Sequence, residues 1–188
     1  MSKTVNNSTK VITGPDTRFS YLHVWEPVAA MSGGTPKYSA SLLIPKSDTK
    51  TVEKIKAAIR LAYEQGETKL RGANGKVVPF DMLKQPLRDG DLERDDEAYR
   101  DHWFLNANST TPPGIVDENC KKIFERGSVY SGCYGRASVS FYAYNNNGSR
   151  GIACGLNHLM LLRSGEPLGG KASAEADFAT DDDDDFLQ

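Results

Sequence analysis

The sequence lacks the features that mark membrane, secreted and metal-stabilised proteins. No apolar run approaches the ~18 residues that a membrane span needs, and the first residues are polar. Cys120, Cys133 and Cys154 are an odd number without a CxxC pair, so we expect reduced thiols instead of a disulfide framework. The three histidines are scattered singly. These absences predict a soluble, unexported protein with no structural metal.

Catalytic motifs are also missing. The chain has no Gly-rich phosphate loop, no nucleophile elbow and no Cys–His arrangement of known spacing. One enzyme alternative is a magnesium nuclease, which needs several converging carboxylates. The available carboxylates are Asp81, Asp89, Asp91, Glu93, Asp95 and Asp96. Because they come from one segment with alternating charges, a solvated loop is the favoured interpretation.

Charge is divided unevenly along the chain. The 188 residues contain 23 Lys and Arg against 25 Asp and Glu, but seven of the acids follow Lys171, so residues 1–171 carry a net charge of +5. We therefore expect one basic domain at 1–170 and a disordered acidic tail at 171–188. A basic body suits a polyanionic ligand, and a solubilising tail is the simpler alternative. The tail residues of interest are Asp181, Asp182, Asp183, Asp184, Asp185 and Phe186.

Hydrophobic periodicity predicts a mainly β protein with one or two helices. Residues 19–25 and 37–44 alternate like strands, with Phe19 and Tyr21 expected on one face. Residues 48–66 show helical spacing instead, ending at Gly66. The helical apolar stripe is Val52, Ile55, Ile59 and Ala62. Residues 72–101 are rich in Gly, Pro and charge, so we expect a long connecting excursion outside the core.

The strand predicted at 136–144 is the most informative. One face is apolar throughout, whereas the other carries Arg136, Tyr142 and Tyr144. A hairpin turn is expected at 145–149, which places a basic fingertip with Arg150 beside that face. Aromatic side chains interleaved with positive charge are typical of surfaces that bind single-stranded nucleic acid, because every base can stack and every nucleotide carries a phosphate. The alternative is that the tyrosines cover a second layer of the protein.

Several segments together resemble the tailed-phage single-stranded DNA-binding proteins, a family once catalogued as a domain of unknown function. They are the run at 129–137, the strand at 138–144, the hairpin at 148–151, the residues 155–157, and the strand and helix at 38–63. The resemblance covers nearly all of residues 10–170. It implies an OB-fold-like five-stranded barrel with long elaborated loops, no catalysis and no cofactor. Such a barrel binds single strands across its open face.

The resemblance also implies a role and a set of contacts. The protein would coat single strands without sequence preference during phage DNA replication and recombination, in the cytoplasm of the infected bacterial host. Base stacking is assigned to Tyr21, Trp25, Trp103, Tyr142 and Tyr144, and phosphate contact to Arg71, Lys76, Arg136 and Arg150. For Trp103 the alternative is that its side chain packs in the core and does not contact DNA. The cluster Lys121, Lys122 and Arg126 is interpreted as a solvated turn.

The acidic tail is similar to the tails of bacterial and phage single-strand binders, which dock replication enzymes. We expect the tail to occupy the basic groove until DNA or a partner protein displaces it. In this chain Phe186 is followed by Leu187 and Gln188. Oligomeric state is left open, a homo-oligomer included. A virion or scaffolding component is the remaining alternative, although it would not need Tyr and Arg together on one strand face.

Overall fold

The computed structural model describes residues 8–30 and 33–168. The predictions for the acidic tail therefore lie outside the described residues. The elements are β1 (Lys10–Ile12), β2 (Thr17–Val28), β3 (Lys37–Pro45), α1 (Thr49–Gln65), β4 (Leu87–Asp89), α2 (Gly90–Glu93), β5 (His102–Ser109), β6 (Gly114–Val116), β7 (Tyr134–Asn146) and β8 (Ser149–Arg163). Short 3₁₀ turns lie at Phe80–Met82, Glu97–Tyr99 and Arg126–Ser128.

Five strands pair in a closed ring, in the order β7, β2, β3, β5, β8 and back to β7. The pairs are antiparallel except for β5 with β8, which run parallel. Two seams are short, since β2 pairs with β7 only at Thr17 and Arg18, and β5 pairs with β8 only at Ala107 and Asn108. The predicted mainly β fold with two helices is confirmed, and its five-stranded barrel takes the form of this irregular ring.

The helix α1 forms where the sequence predicts it. An Asp48 carboxylate oxygen accepts the Thr51 backbone N–H at 3.3 Å, which satisfies a donor at the helix start. At the other end the Gly66 N–H bonds to the Ala62 carbonyl, and Gly66 lies so close to Ala143 of β7 that no side chain would fit between them. The predicted apolar stripe of α1 is buried against the sheet.

The core has one large and one small part. Alternate residues of β3 and β5, among them Leu42 and Leu105, join α1 and the inner face of β7 in the main core. The intervening residues point the other way, and there Leu43 and Phe104 pack with the fully buried Tyr99. This small cluster covers only part of the outer face of β3 and β5. The remainder of that face is left open for a ligand.

The predicted face of β2 is wrong at Tyr21. Phe19 is fully buried, whereas Tyr21 is 58% exposed, so the two rings lie on opposite sides. Tyr21 has a left-handed backbone conformation, with φ of 46°, and the β2–β3 register shifts between Ser20 and His23. An extra residue of this kind reverses the alternation of the strand beyond it. A positive φ is uncommon for an aromatic residue and is often found at functional sites.

The excursion predicted at 72–101 contains more structure than expected. Its Leu87–Asp89 portion is β4, which pairs with β5, and its Tyr99 is fully buried. The sequence did not predict this structure, because a short strand flanked by charged residues shows no clear alternation of apolar and polar positions. The hairpin prediction is confirmed, since Asn147 and Gly148 connect β7 to β8 with φ of 52° and 89°. Both positive values suit the two-residue turn that matches strand twist.

Within residues 8–30 and 33–168, no helix has the length and apolar character needed to cross a membrane. The three cysteines are unpaired, with Cys133 and Cys154 buried and Cys120 exposed. Burial raises the pKa of both buried thiols, because a thiolate loses its hydration inside the core. The two thiols are therefore expected to be unreactive in the folded state.

Thiol titration tests this burial. With Ellman's reagent at pH 8, one thiol per chain should react rapidly, and the other two should react only in denaturant. Cys120→Ser should abolish the rapid reaction, and two thiols per chain should still react in denaturant. Rapid reaction of two or three thiols in the folded protein would contradict the packing described for Cys133 and Cys154.

Candidate nucleic-acid interface

The open part of the outer face of β3 and β5 carries small polar side chains. Ser39 pairs with Asn108 across the two strands, and Ser41 pairs with Asn106. The Ser41 hydroxyl lies 3.0 Å from the hydroxyl of buried Tyr99, which fixes the floor to the small cluster beneath it. Short side chains on two paired strands make a shallow trough and leave amide and hydroxyl groups free at its surface.

This trough is the middle of a longer depression, which we call the sheet groove. One end, of about 440 Å³, is lined by Tyr142 and Tyr144 and shares Asn106 and Asn108 with the middle, of about 360 Å³. The middle shares Tyr21 and His23 with the other end, of about 260 Å³. Leu168 lines that last end. The three parts therefore form one path across the face of the ring.

Tyrosine rings stand at both ends of the sheet groove. Tyr142 is 46% exposed and Tyr21 58% exposed, while Tyr144 is partly buried. Burial raises the pKa of the Tyr142 phenol, and Cys154 and Tyr144 add to the effect. Tyr142 therefore stays neutral well above physiological pH. A neutral ring can meet a nucleotide without repelling its phosphate.

A glycine of β8 leaves room for the Tyr144 ring. A side-chain carbon at Gly151 would come within about 3 Å of the Tyr144 ring. One at Gly155 would touch the Tyr142 ring at 3.5 Å. Gly151 lies directly opposite Tyr144 in the β7–β8 pairing. The absence of a side chain at Gly151 thus allows the Tyr144 ring to lie over the sheet, whereas 3.5 Å at Gly155 is an ordinary contact distance.

Positive charge in the sheet groove comes mainly from the segments around β3 and β5. The lining includes four cations and one carboxylate, Asp96. The cations are Lys37, Lys84, Arg88 and Arg94. The guanidinium carbons of Arg88 and Arg94 each lie 5.2 Å from the centre of the Phe104 ring. Stacking on the ring orients these groups, although Arg88 also pairs with Glu93 at 2.8 Å.

The residues predicted to stack on bases are divided between two faces. Tyr21, Tyr142 and Tyr144 line the sheet groove. Trp25 is partly buried against the main core, and its indole N–H has no hydrogen-bond partner within the described residues. Trp103 lies on the opposite face of β5, where it packs against the main core and lines a separate pocket beside α1.

The residues predicted to contact phosphate do not line the sheet groove. Arg136 donates from Nε to the Thr13 carbonyl at 2.9 Å, which ties β7 to the segment after β1. Arg71 pairs with Glu67 at 3.1 Å, and exposed Lys76 lies in the same turn. Arg150 donates to the Gly148 carbonyl at 3.2 Å in the hairpin. Arg136 lies outside the groove because β1 pairs with β7 and covers that end of the strand.

Sequence reasoning missed Lys37, Lys84, Arg88 and Arg94. The last three belong to the segment that was interpreted as a solvated excursion. The available signal was the density of charge beside Pro86 and Tyr99, but nothing in the sequence shows that this segment folds back over β5. That placement depends on the pairing of β4 with β5, which is a contact made in the tertiary structure.

Three of the six carboxylates of the nuclease alternative form salt bridges. Lys46 donates to Asp89 and Asp91 at 2.7 Å each, which raises the pKa of Lys46 and lowers that of Asp91. Glu93 accepts from Arg88. In the part of the chain that the structure describes, no three His, Cys, Asp or Glu side chains converge as metal ligands. Asp89, Asp91 and Glu93 are thus paired with cations instead of converging on a metal site.

The fold of the described chain is similar to that of solved phage single-stranded DNA-binding proteins. The solved structure of the bacteriophage Enc34 protein in complex with ssDNA has a TM-score of 0.73 to this chain at 24% identity, covering 89% of this chain and 97% of the other. The gp2.5 protein of bacteriophage T7, also a single-stranded DNA-binding protein, gives 0.60 at 15% identity, covering 87% and 97%. At these identities the likeness concerns the fold.

The sequence itself gives the family. Residues 9–187 match the model of the Enterobacter phage Enc34 ssDNA-binding protein family. A protein named p50, from Acyrthosiphon pisum secondary endosymbiont phage 1, is 34% identical over 167 residues, which cover 85% of this chain and 88% of that protein. The chain belongs to the Enc34 phage ssDNA-binding protein family, a family of binding proteins and not of enzymes.

Proposed function

We propose that the chain binds single-stranded DNA along the sheet groove without sequence preference. The observation that carries the proposal is the combination of tyrosines at both ends, four cations and a polar floor in one continuous groove. Tyrosine stacking contributes ~1–3 kcal/mol per base and accepts any base, whereas the cations bind the phosphates. The Enc34 protein, which has a similar fold, was solved in complex with ssDNA, and this supports the same choice of ligand.

The groove suits a single strand better than a duplex. Its floor offers small amides and hydroxyls, which can approach unpaired bases, and its rings can reach only bases that are unstacked from a helix. Cations that are spread along the path contact the backbone whatever the sequence. The protein then protects single strands during phage DNA replication and recombination, in the cytoplasm of the infected bacterium.

The acidic tail is proposed to compete with DNA and to recruit replication proteins. The described chain ends at Leu168, which lines one end of the sheet groove and is held there by its N–H bond to the Ser131 carbonyl at 2.8 Å. The tail therefore continues from one end of the groove, and the groove cations lie farther along the same path. A tethered polyanion that starts at this position has a high effective concentration for the groove.

Tyr142→Ala tests the stacking surface. We expect binding of labelled oligothymidylate to weaken by ~1–3 kcal/mol, because one stacked base is lost. Fluorescence anisotropy at fixed salt measures the change. Phe124→Ala is the matched control, since Phe124 is 78% exposed and does not line the groove. Equal affinities of the two variants would show that Tyr142 does not stack on DNA.

The salt dependence of binding tests which cations contact phosphate. Lys37→Ala and Lys84→Ala should each reduce the slope of log K against log salt by ~0.7, the value for one phosphate of a single strand. Arg71→Ala and Lys76→Ala should leave the slope unchanged, because these residues lie in a turn outside the groove. If the second pair changed the slope and the first did not, the strand would follow a different path.

Removal of the tail tests the competition. A chain truncated after Gly170 should bind oligothymidylate more tightly than the full chain at low salt, and the difference should shrink as salt screens the charges. A full-length chain with Asn at positions 181–185 should behave like the truncated form, which controls for chain length. Unchanged affinity of both forms at low salt would exclude autoinhibition.

A further inference from the structure

A second concavity, which we call the Trp103 pocket, lies on the face of β5 opposite the sheet groove. It has a volume of about 420 Å³ and lies between α1 and the segment from Phe80 to Leu87. Trp103, Phe80, Leu87 and Ile59 form its apolar wall. Neighbouring residues of β4 serve the two concavities separately, since Leu87 lines the Trp103 pocket and Arg88 lines the sheet groove.

Cations surround the apolar wall of the Trp103 pocket. The Nζ atom of Lys56, which lines the pocket, lies 5.3 Å from the centre of the Trp103 ring. Lys46 lies at the same distance from this ring, but it is paired with Asp89 and Asp91. The guanidinium carbon of Arg60 lies 4.3 Å from the centre of the Phe80 ring. Asp81 is the acidic group in the lining. An apolar wall with a mainly basic rim fits a ligand that presents an apolar side chain beside carboxylates.

The Trp103 pocket meets the sheet groove at Gln85. This residue lines both concavities, and its side-chain N–H donates to the Phe80 carbonyl at 2.9 Å. The groove end on the other side of Gln85 contains Lys84, Arg88 and Tyr142. Leu168, from which the acidic tail continues, lines the opposite groove end. The root of the tail and the Trp103 pocket thus lie at the two ends of one path.

The chain carries a segment of the required chemistry. Five consecutive aspartates end at Asp185 and are followed by Phe186 and Leu187. Phe186 is 18 residues beyond Leu168, so an extended tail reaches ~60 Å. A folded body of this size is only ~40 Å across, on the usual scaling of radius of gyration with length. The tail is therefore long enough to run the length of the groove and pass Gln85.

We infer that Phe186 and Leu187 insert into the Trp103 pocket, so that the five aspartates cross Gln85 and lie against the cations of the sheet groove. The inference rests on the proposed competition between tail and DNA and gives that competition an anchor. The Phe ring supplies apolar burial that the aspartates lack. Anchoring at both ends holds the polyanion over the groove, which raises its effective concentration there.

A double-mutant cycle in the full-length chain tests the anchor. At low salt, Phe186→Ala should tighten oligothymidylate binding by about five-fold or more, within the usual range for coupled sites. In a Lys56→Glu, Arg60→Glu background, which reverses two exposed charges of the pocket rim, Phe186→Ala should have no further effect. The cycle separates this coupling from the direct loss of positive charge.

The matched background is Lys50→Glu, Lys54→Glu. These exposed residues have the same spacing on α1 but do not line the pocket, so Phe186→Ala should still tighten binding there. Equal effects of Phe186→Ala in all three backgrounds would overturn the inference. If truncation after Gly170 tightens binding and Phe186→Ala does not, the competition stands and the anchor is excluded.

Photo-crosslinking gives a readout that does not depend on DNA. With p-benzoylphenylalanine in place of Phe186 in the full-length chain, crosslinked peptides should contain residues 56–60, 80–87 or 103. Such crosslinks would support the anchor even if truncation left DNA affinity unchanged. In that case the proposed competition between tail and DNA would be wrong, and the anchor would stand. Crosslinks confined to the segments around Tyr21 and Tyr142 would overturn the inference, because Phe186 would then lie in the groove itself.

Discussion

The pairing of β3 with β5 is the constraint on which both concavities depend. Its register places Ser41 opposite Asn106 and Leu42 opposite Leu105, so polar and apolar pairs alternate between the two faces. The apolar pairs hold α1 and the main core, and the polar pairs floor the sheet groove. A shift of β5 by one residue would turn Asn106 toward the core and Leu105 toward the groove. Core stability and groove chemistry therefore depend on one register.

The electrostatics of the surface are organised by pairing rather than by total charge. Lys46 pairs with Asp89 and Asp91 on one side of β4, while Arg88 and Arg94 stack on Phe104 on the other. Asp89 and Asp91 are therefore engaged by Lys46, whereas Glu93 pairs with the groove cation Arg88. Aromatic rings beneath the guanidinium groups also fix their positions, so less conformational entropy is lost when a phosphate arrives.

The periodicity of apolar residues predicted the elements whose position depends on neighbouring residues in the sequence. The period of 3.6 gave α1 with its caps, and the period of 2 gave the buried face of β7 with Val139 and Phe141. The reversal at Tyr21 was not predictable, because it requires a left-handed residue that composition does not indicate. Tyr142 and Tyr144 were placed on the groove side by alternation alone. Lys84, Arg88 and Arg94 were missed because their positions depend on a segment that folds back over β5.

The short seam between β5 and β8 has a consequence for stability. Only Ala107 and Asn108 pair across it, so this joint has few hydrogen bonds to lose and is a natural place for local opening of the ring. Asn108 of β5 lines the groove, and Ala153 and Cys154 of β8 line the same part of it. A ligand bound to both sides is incompatible with the opened joint. By linkage, occupation of the groove closes the ring, and the free energy of binding adds to that of folding.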